Sequence, residues 1–173
     1  MRRKDREVTT KALLWEMAEQ GRLLHLAMID PEGKPYSVSV HYAPCEEGNC
    51  LYFHGAMQGR KAETLKAHPD VAFDIVAQFE MVPRPAKPHR LLGIYRSLMG
   101  SGRVRIVTDL DEKRRAIAMI QKHYGDYDEA YEVSDLKLEK VVNVFALEIS
   151  ELTGKIKGYR NPDKPNSPVV KEQ

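Results

Sequence analysis

Short turn sequences, rather than helices, separate the apolar segments in the first third of this chain. Asp-Pro-Glu-Gly at 30–33 divides an apolar run over 22–29 from the alternating segment 36–42, and Glu-Glu-Gly-Asn at 46–49 divides that segment from a return strand over 50–54. Strands joined in this way form antiparallel hairpins. Because a doubly wound parallel sheet needs strict alternation of strands and helices, the pattern predicts a mainly β fold, an antiparallel barrel or curled sheet with peripheral helices.

Three helices and three further strands are predicted around these hairpins. The helices are expected from a Thr9 or Thr10 cap to Gly21, from about Gly59 to His68, and from an Asp109 or Asp111 cap to Tyr124. The strands are expected over 71–77, 95–107 and 141–149, and Gly100 and Gly102 predict a bulge or bend in the second of them. Three prolines predict a loop or lid over 81–88.

The length of 173 residues corresponds to one domain. We assign residues 1–158 to that domain and 159–173, which are polar and proline-rich, to a loose C-terminal tail. A net charge of +2 does not favour nucleic-acid binding, and no apolar stretch approaches the ~18 residues of a membrane span. Two cysteines, and a basic N-terminus with no apolar segment behind it, lead us to expect a cytoplasmic protein.

Two histidines and two cysteines follow one another on the second hairpin in the order His41, Cys45, Cys50, His54. If the turn covers 46–49, all four side chains share one face, but each histidine lies about 13 Å along its strand from the nearer cysteine. One zinc ion with bonds of ~2.0–2.3 Å cannot reach all four, so we predict no metal site. Cys45 and Cys50 are expected to be a reduced pair. His41 and His54 either make ordinary hydrogen bonds on the sheet or line a ligand cleft.

The segment 54–61 has the residue types of an anion site. A strand ends in small residues, and Gly59-Arg60-Lys61 then begins a helix whose free backbone N–H groups attract anions. Arg60 and Lys61 add donors that suit a phosphate, although the spacing is not that of a Walker A loop. The alternative is a solvated helix start. Farther along, a buried Arg96 would need a partner, which cofactor oxygen atoms or a salt bridge could supply.

Five segments, in order over about the first 155 residues, resemble the FMN-binding split-barrel superfamily, also called the pyridoxamine 5′-phosphate oxidase-like family. Among its branches the chain is most similar to the nitroimidazole reductases. The matching segments are 1–7, 51–56, 59–61, 95–97 and 152–155. Gly59 stands where the family has a serine before Arg60 and Lys61, so one phosphate-binding hydroxyl is missing. The basic residues with which the oxidase binds pyridoxal phosphate have no clear match, and vitamin B6 oxidation is not expected.

The resemblance implies a six-stranded antiparallel split β-barrel with flanking helices, forming a homodimer with FMN in clefts at the interface. It implies that His54 lies near the flavin and the substrate as the catalytic residue, that Ser39, Val40 and His41 run beside the flavin ring, and that Ser97 approaches the ring edge. The full set of cofactor-binding residues implied in this way is Ser39, Val40, His41, His54, Gly55, Ala56, Gly59, Arg60, Lys61, Tyr95, Arg96 and Ser97.

The function that the resemblance implies is an FMN-dependent oxidoreductase that reduces a small acceptor, with a nitroaromatic as one candidate. NADH, NADPH or another reductant would supply the electrons, and no nucleic acid or membrane partner is expected. The alternative is a non-catalytic module that binds flavin or haem, since histidines in the cleft of such a barrel could ligate iron. A nucleic-acid-binding regulator that uses the basic N-terminus is a third hypothesis.

Overall fold

The computed structural model of the chain describes residues 2–84, 87–125 and 134–171. These residues form four α-helices: α1 (Lys11–Gln20), α2 (Arg60–Ala67), α3 (Leu110–Tyr124) and α4 (Asp135–Lys140). They also form eight strands: β1 (Glu7–Val8), β2 (Leu24–Ile29), β3 (Pro35–Val40), β4 (Tyr42–Cys45), β5 (Cys50–Ala56), β6 (Asp70–Arg84), β7 (Lys87–Ile106) and β8 (Val142–Lys157). None of the helices in the described ranges is long and apolar enough to cross a membrane.

The strands form one antiparallel sheet in the order β3-β2-β6-β7-β8-β5-β4, and β1 adds to β8. Its two edge strands are consecutive in the chain, because only His41 separates the last residue of β3 from the first residue of β4. Two Cα steps span at most about 7.6 Å, so the edges must meet and the sheet curls into a barrel.

The predicted mainly β barrel with flanking helices is confirmed. The eight strands correspond to the expected six when the two-residue β1 is set aside and β3 and β4 are counted as one strand that bends at His41. The predicted single strand over 36–42 is divided there, at the corner where the barrel closes.

The barrel interior is the main hydrophobic core. Large side chains such as Leu24, Phe53, Ile75 and Phe145 are completely buried in it, and Met17 of α1 packs against them. A second cluster lies between the outer face of the sheet and α3, and it contains Tyr52, Ala116, Ile120 and Val144. Full burial of one such large apolar side chain stabilises the fold by roughly 1.5–3 kcal/mol, so both faces of β5 are held in place.

The loop or lid predicted over 81–88 is wrong. β6 continues to Arg84 and β7 begins at Lys87, and the two strands pair with each other over this region; residues 85 and 86 lie outside the described residues. Pairing of β6 with β2 covers only Ala72–Ile75. Beyond it, one edge of β6 is open in the described structure, and proline, which cannot donate to a ladder, is tolerated at such an edge.

Several turn and cap predictions are confirmed. Asp109 caps α3 by accepting a hydrogen bond from Glu112 N (2.7 Å), and the sheet register shifts between Ser101 and Gly102, as the glycines predicted. The cap expected for α1 is different. Thr10 occupies the cap position, but its hydroxyl donates to the Asp163 carboxylate instead of accepting from the helix.

The loose C-terminal tail is also a wrong prediction for residues 159–171. Tyr159 and Asn161 are each 1% exposed, and the Asp163 carboxylate accepts hydrogen bonds from Thr9 N (2.8 Å) and Thr10 N (2.9 Å). The segment therefore packs against the barrel and the start of α1. Its polar composition misled the prediction because the polar groups serve contacts that are distant in sequence.

Candidate cofactor-binding site

His41 and His54 meet at the corner where the barrel closes. In the β4–β5 pairing Tyr42 lies opposite Phe53, and one further step places His41 opposite His54. Both side chains are exposed on the outer face, whereas Tyr42 and Phe53 point into the barrel. Desolvation, with smaller contributions from Lys61 and His41, holds the pKa of His54 below its ordinary value. The two histidines thus form the predicted pair, beside the start of α2.

Lys61, in the first turn of α2, reaches back toward β5. Its Nζ donates a hydrogen bond to His54 O (3.1 Å) and lies 5.7 Å from the centre of the Phe53 ring and 6.0 Å from that of Phe145. Burial lowers the pKa of Lys61. A Cβ atom at Gly55 would lie 2.6 Å from this Nζ, so the glycine leaves the space that the lysine uses. A lysine Nζ has three donors, and the contact with His54 O uses one of them.

Arg60 is held on the other side of the α2 start. It donates to the buried Asp30 carboxylate (2.8 Å) and its guanidinium carbon stacks over the Tyr36 ring at 4.3 Å. The backbone N–H of Lys34, and next Arg60 itself, hold the pKa of Asp30 below its ordinary value. The Arg60 side chain is 55% exposed, and a guanidinium has five N–H donors. Arg60 is therefore oriented by the protein with donors left to face a ligand.

The turn between β5 and α2 is fixed by Asn143 of β8. The buried Asn143 amide donates to Ala56 O and Met57 O, both at 3.3 Å. Gly59 then has φ +109°, a conformation that side-chain-bearing residues rarely adopt. With Arg60 and Lys61 on each side, the turn presents two basic side chains and a helix start to one region of the surface. Contacts within the protein thus hold the two basic side chains, which are not simply solvated, and the anion site stays a prediction.

Ser39 and Ser97 lie on the outer face of the sheet, on the far side of His41 from α2. Ser39 pairs with His25 of β2, whose Nδ1 lies 3.1 Å from Asp74 Oδ2. Ser97 pairs with Val76 of β6.

One residue before Leu24, the β2–β3 and β2–β6 registers place Leu23 between His41 on one side and Val76 on the other. Since Val76 pairs with Ser97, the four residues form one row across the sheet: His41, Leu23, Val76 and Ser97. His41 and Ser97 are three strand spacings apart in this row, about 14 Å. The exposed apolar side chains of Leu23 and Val76 lie between them. Polar groups therefore flank a small apolar platform on the outer face.

Val40 and Arg96, two other predicted site residues, turn toward the interior. Val40 belongs to the main core. The Arg96 side chain is 2% exposed, lies 3.6 Å from Glu16 Oε1, and stacks 5.7 Å from the centre of the Tyr159 ring. Of the two alternatives for Arg96, the salt bridge is the one that the structure shows. The Arg96 side chain therefore lies in the interior and not on the outer surface. The Val40 side chain is also inside, so only the Val40 backbone can contact a ligand on the outer surface.

Tyr95 occupies an intermediate position. It pairs with Phe79 and Lys157 in the sheet, and the ammonium groups of Lys155 and Lys157 lie 5.5 and 5.7 Å from the centre of its ring. These two lysines and Tyr95 are on the same outer face as Ser97, toward the end of the β6–β7 hairpin.

Sequence reasoning missed two residues at the end of α3. The His123 side chain is 3% exposed, with Nδ1 3.3 Å from Glu19 Oε2 and Nε2 2.8 Å from Gly21 O. The Tyr124 hydroxyl accepts from Tyr42 N (3.0 Å), and its ring packs edge-on against His41 with centroids 4.9 Å apart. The end of α3 thus holds the corner at His41. Only contacts between distant parts of the chain reveal this, and no local pattern could have predicted it.

Comparison with known proteins supports the same fold. One similar solved structure is a candidate 5-nitroimidazole antibiotic resistance protein from Bacteroides thetaiotaomicron, with 24% identity, a TM-score of 0.74, and coverage of 87% of this chain and 86% of that one. A second is an FAD- and haem-binding protein from Mycobacterium smegmatis, with 18% identity, a TM-score of 0.72, and coverage of 88% of this chain and 73% of that one. A third is a flavocytochrome from Azotobacter vinelandii, with 18% identity, a TM-score of 0.71, and coverage of 87% of this chain and 69% of that one. At these identities the likeness concerns the fold alone. No curated protein matches the sequence.

The sequence model of the pyridoxamine 5′-phosphate oxidase family matches residues 10–156, from the start of α1 almost to the end of β8. That span contains β2 to β7, β8 except for its last residue, and every residue of the predicted cofactor-binding set. The chain therefore belongs to the pyridoxamine 5′-phosphate oxidase-like split barrels, the superfamily that its sequence motifs resemble.

Proposed function

We propose that this protein is an FMN-dependent oxidoreductase that reduces a small acceptor such as a nitroaromatic. The observation that carries the proposal is the α2 start, where Lys61 and Arg60 are held by protein contacts and keep donors for an anion. Membership of the family supplies the cofactor class, and the arrangement of these residues fits its phosphate. Bound FMN would supply the electron-transfer chemistry.

The phosphate would be held at the α2 start. Charge-assisted hydrogen bonds from a lysine and an arginine to a phosphate are among the stronger ones in proteins, and the first N–H groups of a helix add a favourable dipole. Lys61 is suited to the task because burial has lowered its pKa, and a nearby dianion would restore the stability of its charged form. Gly55 makes room for the Lys61 ammonium, and the exposed Ala56 and Gly59 leave this end of β5 open to the ligand.

The flavin ring would lie on the apolar platform of Leu23 and Val76. Ser39, His41 and Ser97 line that surface, and their polar groups would orient the ring by hydrogen bonds. His54 is the candidate proton donor or substrate contact, because its lowered pKa favours the neutral imidazole, which has one N–H donor and one acceptor. Its place beside His41 would put it near the ring and the acceptor.

A homodimer would complete the cleft. The platform is open on its outer side, and the adjoining β6–β7 hairpin exposes Phe79 and Leu91, 62% and 60% exposed. Exposed apolar side chains grouped in this way are typical of interaction surfaces. A second copy on this face would cover the ring and exclude water from the site.

The visible spectrum of the purified protein tests the proposal most broadly. We expect a yellow protein whose absorbance bleaches on anaerobic addition of NADH, NADPH or dithionite and returns on addition of a nitroimidazole. His54→Ala should keep the flavin and lose the turnover. A colourless protein that neither copurifies with flavin nor binds added FMN would refute the proposal.

One observation favours a second function, a non-catalytic flavin- or haem-binding module. His41 and His54 are exposed side by side, and neutral imidazoles are common ligands of haem iron. A Soret band in the purified protein, or a bound flavin that no acceptor reoxidises, would favour the module over the oxidoreductase.

A further inference from the structure

The two cysteines of the chain face each other at the turn end of the β4–β5 hairpin. Cys45 and Cys50 are Cα partners in the antiparallel pairing, and both are free thiols. Directly opposed residues of an antiparallel pair have Cα atoms about 4.5–5.5 Å apart. Disulfides join residues whose Cα atoms are about 4.4–6.8 Å apart, so the backbone already has a spacing that a disulfide can bridge.

The side chains of the pair also converge. A Cβ atom at Gly48 in the turn would lie 3.2 Å from Cys45 Sγ and 3.3 Å from Cys50 Sγ, so both sulfur atoms lie beneath the same point of the turn. The turn itself is anchored to β8, because Asn49 Nδ2 donates to Ile149 O (2.9 Å) and Ile149 N donates to Asn49 O (3.0 Å). The two thiols are therefore held close together by a fixed turn.

The two thiols differ in exposure. Cys45 is half-buried, whereas Cys50 is buried against the α3 side of the sheet. Burial, and next the neighbouring Cys45, raise the pKa of Cys50 to about 12. Only the thiolate form attacks disulfides readily. The more accessible Cys45 is thus the thiol that reacts first with an external oxidant. Cys50 resolves the product because it is held beside the Cys45 sulfur, and its raised pKa makes this second step the slower one.

We propose that Cys45 and Cys50 are a reversible disulfide site whose oxidant is a low-molecular-weight disulfide such as oxidised glutathione. In the first step the Cys45 thiolate attacks the oxidant, forms a mixed disulfide and releases one small thiolate. In the second step Cys50 loses its proton to solvent and its sulfur attacks the Cys45 sulfur, which releases the second small thiolate. The two cysteines lose two electrons together, and the oxidant gains them as two small thiols.

The disulfide would lie on the same hairpin as the candidate site, although its formation does not require that site to bind a cofactor. β4 begins at Tyr42, next to His41, and β5 runs from Cys50 to His54 and Ala56. A bond across the hairpin would join β4, which begins next to His41, to β5, which carries His54. Its formation needs no flavin, so its test and the test of the proposed function can fail independently.

The experiment is a redox titration of the purified protein in glutathione buffers, followed by acid quenching, thiol counting and intact-mass measurement. We expect the wild type to lose both thiols together and the mass of two hydrogen atoms. Cys45→Ser should lose the fast reaction, and Cys50→Ser should stop at one bound glutathione. Because Cys50 is buried, Cys50→Ala provides a second variant in case the serine disturbs folding.

A non-reducing gel of the same samples excludes a bond between chains. The proposal is overturned if the wild type accumulates glutathione adducts without closing the internal bond, if it keeps both thiols at oxidant concentrations that modify Cys50→Ser, or if oxidation yields only covalent dimers. Recovery of both thiols on return to reduced glutathione would show the reversibility that the proposal requires.

Discussion

At the scale of single residues, the site depends on glycines as much as on charged groups. Gly55 leaves room for the Lys61 ammonium, and Gly59 takes φ +109° at the start of α2. By resemblance to the family, Gly59 stands where a serine is expected. The structure gives a reason for the exchange, because a serine would be strained at this φ even though the space around it is open. In the proposed phosphate site, backbone N–H groups and two basic side chains would take the place of the hydroxyl that the resemblance to the family leads us to expect.

Gly59→Ser should therefore destabilise the protein although it restores the family residue. We expect the free energy of unfolding to fall by about 1–3 kcal/mol, the range for a residue held in a sparsely populated backbone region. Gly33→Ser is the matched control for strain alone, because Gly33 also has positive φ and open space but lies in the β2–β3 turn. It should lower the free energy of unfolding in the same way. Urea denaturation of both variants measures the effect. An unchanged midpoint for Gly59→Ser alone would contradict the assigned conformation.

His54 predicts a pH dependence. Its pKa in the folded state is lowered by desolvation, then by Lys61 and His41, from an ordinary value of 6.5. The unfolded chain therefore takes up this proton first, so the contribution of His54 to stability is complete above pH 6.5 and falls as the pH drops toward the folded-state pKa. NMR titration of the imidazole checks the direction. Lys61→Met should raise the pKa of His54, and an unchanged value would contradict their coupling.

At the scale of helices, strands and turns, the features predicted correctly are those that depend on residues close together in the sequence. Turns at 30–33 and 46–49 and the cap at Asp109 all depend on residues that are neighbours in the chain. The lengths of β6 and β7 could not be predicted, because prolines at 83 and 88 usually indicate a loop. They are compatible with a strand only where its edge is unpaired, and the sequence does not show which edges are unpaired. The packed segment after Gly158 was missed for a related reason: Asp163 meets the start of α1 from the other end of the sequence.

Asp163→Ala tests that contact. The carboxylate accepts hydrogen bonds from two backbone N–H groups and from the Thr10 hydroxyl. Its removal leaves the first turn of α1 without these acceptors, and we expect a loss of about 2 kcal/mol in the free energy of unfolding. Asn166→Ala, in the same segment and exposed, is the control. Equal midpoints for the two variants in thermal or urea denaturation would show that the contact does not stabilise the protein.

At the scale of the whole molecule, the closed barrel brings both halves of the candidate site to one surface. His54 and Lys61 come from the β5–α2 side, and Ser39 and Ser97 come from the other side, with His41 as the joint between them. The resemblance to the family predicts that these residues share one cofactor cleft, and their common role stays a prediction. The inward direction of Arg96 required the three-dimensional structure, because its partner Glu16 lies on α1, eighty residues away in sequence.

The homodimer is a prediction at the same scale. Phe79, Met81 and Leu91 lie on one face of the β6–β7 hairpin, where the space above Gly93 is covered by Phe79 and Met81. The double variant Phe79→Ser, Leu91→Ser should shift the protein from dimer to monomer in light scattering after size exclusion. Leu136→Ser removes an equally exposed leucine from α4 and should leave the dimer unchanged. A wild type that remains monomeric at micromolar concentration would contradict the prediction.

If the α2 start binds the phosphate of a flavin, FMN should bind more tightly than riboflavin, which lacks that phosphate. Titration of flavin-free protein by fluorescence quenching gives both dissociation constants. We expect FMN to bind at least about tenfold more tightly, because charge-assisted hydrogen bonds contribute about 1.5–3 kcal/mol each. Lys61→Ala should remove most of that difference and leave riboflavin binding unchanged. Equal affinities for FMN and riboflavin in the wild type would contradict the account.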